Sequence, residues 1–194
     1  MTGNGISKLD LKRQNRMQIL RLLRNSGPTS RIDIAASTKR LIVGPMRNWS
    51  RTVVLWNLAA DPLNDPHTDN GGCPSCQGAL TIDGDSATRN LAYYVIAHAS
   101  QFVRPGSVRI ASTAPGDRTV TLGEDEQRPK VYRAQITEHA DVAPNAAFRT
   151  PDGKIVLIVA NDSWSRRSIS VQYNGRYAEL NLAPGATGTF VWDE

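Results

Sequence analysis

The sequence predicts a mainly β protein: a C-terminal antiparallel β-sandwich, preceded by a strand, a long loop and a helix, and before these a short basic helical segment. Three observations carry this reading. Eight short runs of alternating or β-branched residues follow one another after residue 106, separated by turn-forming residues. One earlier run, TVVLWNLA at 52–59, is nearly continuous in apolar residues, which suits a strand buried on both faces, as in a parallel sheet. The charge is divided: residues 1–51 carry 11 basic and 2 acidic groups, the remainder 12 and 16, so the net +5 conceals a basic head and a mildly acidic body. With 194 residues and 40% hydrophobic composition the chain can bury a real core. Two cysteines exclude a disulfide-rich scaffold, and no run of about twenty apolar residues spans a membrane.

Residues 8–25, KLDLKRQNRMQILRLLRN, have helical periodicity, with Leu11, Ile19, Leu22 and Leu23 near one face and Lys12, Arg13, Arg16, Arg21 and Arg24 mostly on the other. Gly27 and Pro28 end that helix, and Ser30 caps a second one whose body is RIDIAAS. Gly44 and Pro45 are expected to cut short any third helix. The N-terminus lacks the apolar core and cleavage site of a signal peptide, so no export signal is expected and localisation stays open. After the strand at 52–59, the loop 60–78 is rich in Asp, Asn, Gly and Pro; ALTI makes a short strand, and Asn90 caps a helix LAYYVIAHASQFV that RPG terminates. The sandwich strands are expected at SVRIAST, RTVTL, KVYRAQIT, NAAF, KIVLIVAN, SISVQY, RYAELNL and TGTFVW. Between them, TPDG reads as a turn before Lys154, and Asn174–Gly175 as a type I′ hairpin turn.

The candidate chemistry is concentrated at residues 56–76. Cys73 and Cys76, in GGCPSCQG, have a spacing that permits a loop-closing disulfide, a redox pair or half of a zinc knuckle. A metal site would need further ligands, such as His67 and a neighbouring aspartate, and no metal or other cofactor is expected. His67 is the histidine placed to face a ligand, whereas His98 lies in the helix beside Tyr94 and Phe102 and reads as packed or hydrogen-bonded. Trp56 and Asn57 stand at the C-terminal end of the apolar strand, where α/β sheets place their sites. Trp56 there serves either as core or as a stacking platform for a sugar ring, with Asn57 or Asp61 bonding a hydroxyl. Acids in a single loop, such as Asp61, Asp65 and Asp69, lack the rigid separation of about 5–10 Å that glycoside hydrolysis requires of its two carboxyls.

RNWSRTVVLWNLAADP, DPH, GGCPSCQGALTI, YYVIAHASQFVRPGSVRIAS, AAFRTPDGKIVLIVAND and LAPGATGTFVW occur in this order and together resemble the C-terminal part of a glycoside hydrolase family 30 enzyme of the glucosylceramidase type, over residues from about 41 to 194. The resemblance implies a (β/α)8 barrel joined to a β-sandwich. Residues 38–104 would hold the eighth strand, long loop and eighth helix of an incomplete barrel, and 105–194 the sandwich, which in the family also takes a strand from before the barrel. It implies that Trp56 lines the sugar pocket, and it favours the disulfide for Cys73 and Cys76; Asn57 and His67 are substrate-binding candidates on the reading of the residues alone. The chain departs from the family pattern at 97–102, AHASQF in place of GHFSKF, and at 64–66, NDP in place of a GGP turn. It also holds nothing resembling the fourth and seventh barrel strands, which carry the acid/base and nucleophile glutamates. No residue inherits a catalytic role, and the chain alone is expected to be inactive.

Residues 10–35 resemble the start of the winged helix-turn-helix of ROK-family repressors, so residues 8–37 read as a partial motif of that kind. The likeness stops before a recognition helix, which leaves weak, salt-sensitive nucleic-acid binding through residues 8–51 as its functional implication. Three classes of function follow: a glycosidase portion whose partner is a glucoside or other carbohydrate, and which a complementary barrel chain would complete; a carbohydrate-binding or structural sandwich; and a DNA-binding remnant of a sugar-responsive repressor. Localisation stays open on the resemblance as well, although similar full-length enzymes are commonly secreted or lysosomal.

Overall fold

The computed structural model describes residues 31–68, 70, 73–113, 118–122, 134–138 and 142–194. Residues 8–30 of the basic segment lie outside this set. The described residues divide into two compact units, one within residues 54–94 and the other within residues 31–53 and 95–194.

The larger unit is an antiparallel sandwich. Strands β4 (Val108–Ile110), β7 (Asn145–Arg149), β8 (Lys154–Ala160) and β11 (Thr187–Asp193) form a four-stranded sheet in the order β11-β8-β7-β4. The hairpin β9 (Arg167–Tyr173) and β10 (Arg176–Leu182) forms a second sheet, and β5 (Arg118–Leu122) pairs with β6 (Ala134–Glu138). Strand β8 is central because every residue from Ile155 to Ala160 is buried, as its unbroken KIVLIVA requires. Leu157 and Val159 belong to a cluster with Ala143, Ala147 and Leu182, against which Ile169, Val171, Leu180, Phe190 and Trp192 pack. That cluster joins the hairpin to the sheet. A Cβ at Gly188 would stand 2.7 Å from the ring of Phe190, so this strand glycine makes room for the aromatic side chain.

By the strand alternation, Val156, Ile158 and Ala160 face the other side of the sheet. Helical segment 31–47 packs on β7, β8 and β11. It consists of α1 (Arg31–Thr38), a π-helical turn (Lys39–Val43) and α2 (Gly44–Arg47). Ala35, Leu41, Ile42 and Val43 are buried, and the buried Thr38 hydroxyl donates to Ile34 O at 2.8 Å. Lys39 Nζ meets Asp162 Oδ2 at 2.9 Å, and Arg47 Nη1 donates to Asn145 O at 3.2 Å.

The expected stop at Gly44–Pro45 does not occur. The Gly44 N–H bonds to Lys39 O, five residues back, and this widened turn comes immediately before the proline. A proline in a regular helix would drive its ring into the carbonyl four residues earlier, here Leu41; the wider turn relieves that collision and the helix continues. It ends instead at Asn48, whose N–H and side-chain amide both reach Gly44 O, at 3.1 and 2.9 Å, with Trp49 following at φ 66°. The ring of Trp49 stacks on the Arg109 guanidinium, 4.8 Å from its centroid.

In the smaller unit, β1 (Ala59–Ala60) runs parallel to β2 (Leu80–Asp83), which forms a hairpin with β3 (Ser86–Arg89). Residues 52–58 are the main departure from expectation. They are not a strand buried on both faces: Val54 is 82% and Leu58 77% exposed, and the ladder is confined to Ala59–Ala60 with backbone bonds from Ala79 and Leu80 to Asn57 O and Leu58 O. The apolar run has the composition of a central strand, but the described residues supply a neighbour only at its end.

Helix α3 (Leu91–Ser100) starts after Asn90 as expected. The Asn90 side chain does not cap it, however; Nδ2 bonds Gly78 O and Thr81 Oγ1, both at 2.9 Å, and ties the helix start to the preceding loop and strand. Near the end of α3, His98 Nδ1 lies 3.0 Å from Thr189 Oγ1, while that hydroxyl donates to His98 O at 3.1 Å. Since the single hydroxyl proton goes to the carbonyl, Nδ1 is the donor in the second bond, which assigns the Nδ1–H tautomer. Burial lowers the pKa of His98. The unfolded chain therefore takes up a proton first as the pH falls through about 6.5. The contribution of His98 is present above that pH and lost below it. Urea midpoints measured at about pH 7.5 and pH 5.5 should show a fall that is smaller in His98→Gln; an identical fall in both proteins would refute this assignment.

Candidate functional site

The loop after β1 is organised by Asp61. Its Oδ1 accepts from the N–H groups of Leu63 and Asp65, both at 2.8 Å, and its own N–H donates to Asp65 O at 2.9 Å. Asp61 is thus engaged with its own loop. Asn64 stands at φ 67°, and Asp65–Pro66 is cis. His67 Nδ1 lies 2.7 Å from Asp65 Oδ1, an ion-pair distance without the angle of a hydrogen bond. The Asp65 partnership escaped the sequence reading because two residues so close in sequence meet only when the loop between them is folded back.

Trp56 is 52% exposed, and its peptide bond to Asn57 is cis. Asn57 Oδ1 is buried without a hydrogen-bond partner among the described residues. It faces Gly78, where an added Cβ would stand 2.7 Å from that oxygen and 2.8 Å from the backbone of Ala59. Gly78 therefore allows the loop to close on the strand end, a requirement that the QGAL stretch signals only through its glycine. No hydrogen bond or ring contact links Trp56 with His67 among the described residues. Cys73 and Cys76 are joined in a disulfide, with Cα atoms 5.3 Å apart and Cys76 buried. A disulfide-bonded pair offers no thiolate to a metal, and no three His, Cys, Asp or Glu groups among the described residues gather into a cation site.

The antiparallel sandwich of the larger unit is similar to that of glycoside hydrolase family 30 enzymes. Residues 130–190 match the family model described as the glycosyl hydrolase family 30 beta sandwich domain. Among curated proteins, endo-1,6-beta-D-glucanase neg1 of Aspergillus fumigatus is 41% identical over 66 residues, which are 34% of this chain and 14% of that protein. Endo-1,6-beta-D-glucanase BGN16.3 of Trichoderma harzianum is 37% identical over 71 residues, 37% of this chain and 14% of that protein. Among solved structures, the endo-beta1,6-glucanase BT3312 aligns with a TM-score of 0.65 and 26% identity over 83% of this chain and 31% of its own. SrfJ from Salmonella typhimurium shares the fold, with a TM-score of 0.64 and 21% identity over 88% of this chain and 33% of its own. The chain thus spans about a third of each of these solved chains. The likeness of residues 10–35 to a repressor finds no support in these matches.

Proposed function

We propose that the chain is the C-terminal portion of a family 30 glycosidase that acts on β-1,6-linked glucan, with residues 52–60 and α3 contributing the last strand and helix of its barrel. The observation that carries this is the likeness to the endo-beta1,6-glucanase BT3312 over 83% of the chain, which is more than the sandwich alone can account for. The names of the two fungal relatives support the same substrate class, in preference to the glucosylceramidase type expected from the sequence. Unpaired exposure of Val54, Trp56 and Leu58 fits a stave whose neighbouring strands come from elsewhere. In this reading Trp56 stacks on a sugar ring, and Asn57 and His67 border the same pocket.

A retaining mechanism needs one carboxyl to protonate the leaving oxygen and a second to attack the anomeric carbon. These 194 residues supply neither the acid/base nor the nucleophile strand, so the portion binds and orients without cleaving. The purified chain should release no reducing sugar from β-1,6-glucan, and methyl β-glucoside should shift its tryptophan fluorescence in a saturable way that Trp56→Ala removes. Turnover by the chain alone would overturn the inactivity; an unchanged shift in the variant would overturn the role of Trp56.

A further inference from the structure

The Cys73–Cys76 disulfide closes a ring with only Pro74 and Ser75 between its ends. So small a ring removes little entropy from the unfolded chain, so the bridge adds little to the stability of the fold as a whole and acts on its own turn. Its two sulfurs are unequally placed. Cys76 is 1% exposed, whereas Cys73 is partly exposed and Pro74 and Ser75 at the tip of the turn are open to solvent. Just after the bridge the chain packs on the strand end that carries Trp56. Gly78 is buried against Asn57 and Ala59, and the N–H groups of Ala79 and Leu80 donate to Asn57 O and Leu58 O, both at 3.0 Å. Before the bridge the chain leads back to His67 and Asp65, so the disulfide ties the loop of His67 to the segment packed against Asn57.

We propose that Cys73–Cys76 is a redox latch: an external dithiol opens it by attack at Cys73, and opening loosens residues 76–80 on the strand end that carries Trp56 and Asn57. A thiolate must approach in line with the S–S bond, which needs an open path to the sulfur it strikes. The exposure of the turn selects Cys73 as that sulfur and makes buried Cys76 the leaving one. The first step forms a mixed disulfide at Cys73 and releases a Cys76 thiolate, which takes a proton. With a monothiol, the turn holds Cys76 beside the mixed disulfide, where it attacks and expels the incoming group. A dithiol instead uses its second sulfur to attack its own bonded sulfur and departs as a cyclic disulfide. Two electrons and two protons then pass from the reductant to the protein, and both cysteines are left as thiols. The opened turn keeps the hydrogen bond from Cys76 N–H to Cys73 O, 3.2 Å long, but loses its covalent tie. The bonds of Leu63 and Asp65 to Asp61 lie upstream and do not depend on the bridge, so the loosening falls on the Cys76–Leu80 side. The effect on sugar binding rests on the function proposed above; the latch does not.

The test treats the full chain with millimolar dithiothreitol in native buffer, maps the freed thiols by alkylation and mass spectrometry, and compares amide hydrogen exchange before and after. Reduction should be complete without denaturant. Exchange at Cys76, Ala79 and Leu80 should then quicken about tenfold or more, while that at Leu63 and Asp65 stays as it was. Glutathione disulfide should modify Cys73 in Cys76→Ser at least about tenfold faster than it modifies Cys76 in Cys73→Ser. A bridge that opens only in urea, equal modification rates in the two variants, or exchange that reduction leaves unchanged overturns the latch. The link to the site is read from tryptophan fluorescence titrated with methyl β-glucoside. Affinity should fall about three- to tenfold on reduction and return on reoxidation, and the double variant Cys73→Ser, Cys76→Ser should keep the weaker value under oxidising conditions. If exchange quickens and neither form binds the glucoside, the latch stands and the function proposed above falls. Equal affinity in the two forms overturns control of the site by the latch.

Discussion

Ile158→Ala should lower the stability of the sandwich by about 2–5 kcal/mol, among the largest losses available to a single substitution in this chain. The residue is fully buried at the centre of β8, in the sheet's middle, and by alternation faces the side on which the helical segment 31–47 packs. Truncation removes several methyl and methylene groups and leaves a cavity that neither sheet nor helix can close without moving a neighbour that is itself buried. Domains of this size are typically stable by only about 5–15 kcal/mol, so such a loss is a large fraction of the total. The measurement is the denaturant midpoint, with Val191→Ala on β11, 42% exposed, as the control expected to cost less than about 1 kcal/mol. Equal shifts in the two variants would show that the helical segment contributes no sealed core to the sheet.

The sandwich was legible in the sequence because its strands obey local rules. The KIVLIVAN run became the doubly buried β8, the alternation of SISVQY became the alternating burial of β9, and Asn174–Gly175 sits in the positive-φ conformation that a tight hairpin needs. Strand β3 was not legible. SATR has no apolar alternation and all four residues are exposed, so its pairing with β2 follows from the turn at Gly84, φ 55°, and not from a face to bury. The helix through Gly44–Pro45 was hidden for a different reason, since residue propensities describe a regular helix and the chain uses a widened turn. In the candidate site, Trp56, Asn57 and His67 can be picked out by residue type and position, but what each touches depends on loop closure over Gly78 and around Asp61.

Asn161→Ala should cost about 2–3 kcal/mol, although it removes only one small polar side chain. Asn161 is 2% exposed and stands just past β8. Its Nδ2 donates to Ser165 O and Ala183 O at 2.9 Å and to Leu182 O at 3.3 Å, while its Oδ1 accepts from the Ser163 hydroxyl at 2.7 Å. One amide therefore holds the turn into β9 and the chain leaving β10 against the end of the central strand. Removing it leaves carbonyls whose water has been excluded and whose donor is gone, which costs more than the net value of a hydrogen bond. Asn161→Asp separates this account from simple loss of packing. It preserves the shape, but replaces the donor amide with an acceptor directed at carbonyl oxygens, so at neutral pH it should destabilise at least as much as alanine does. Ser163→Ala, which removes one partner on the exposed side of the turn, should cost less than about 1 kcal/mol. If Asn161→Asp unfolds at the same denaturant concentration as the parent chain, the amide is not what joins these segments, and the order of the turn must come from the apolar contacts of Leu182 alone.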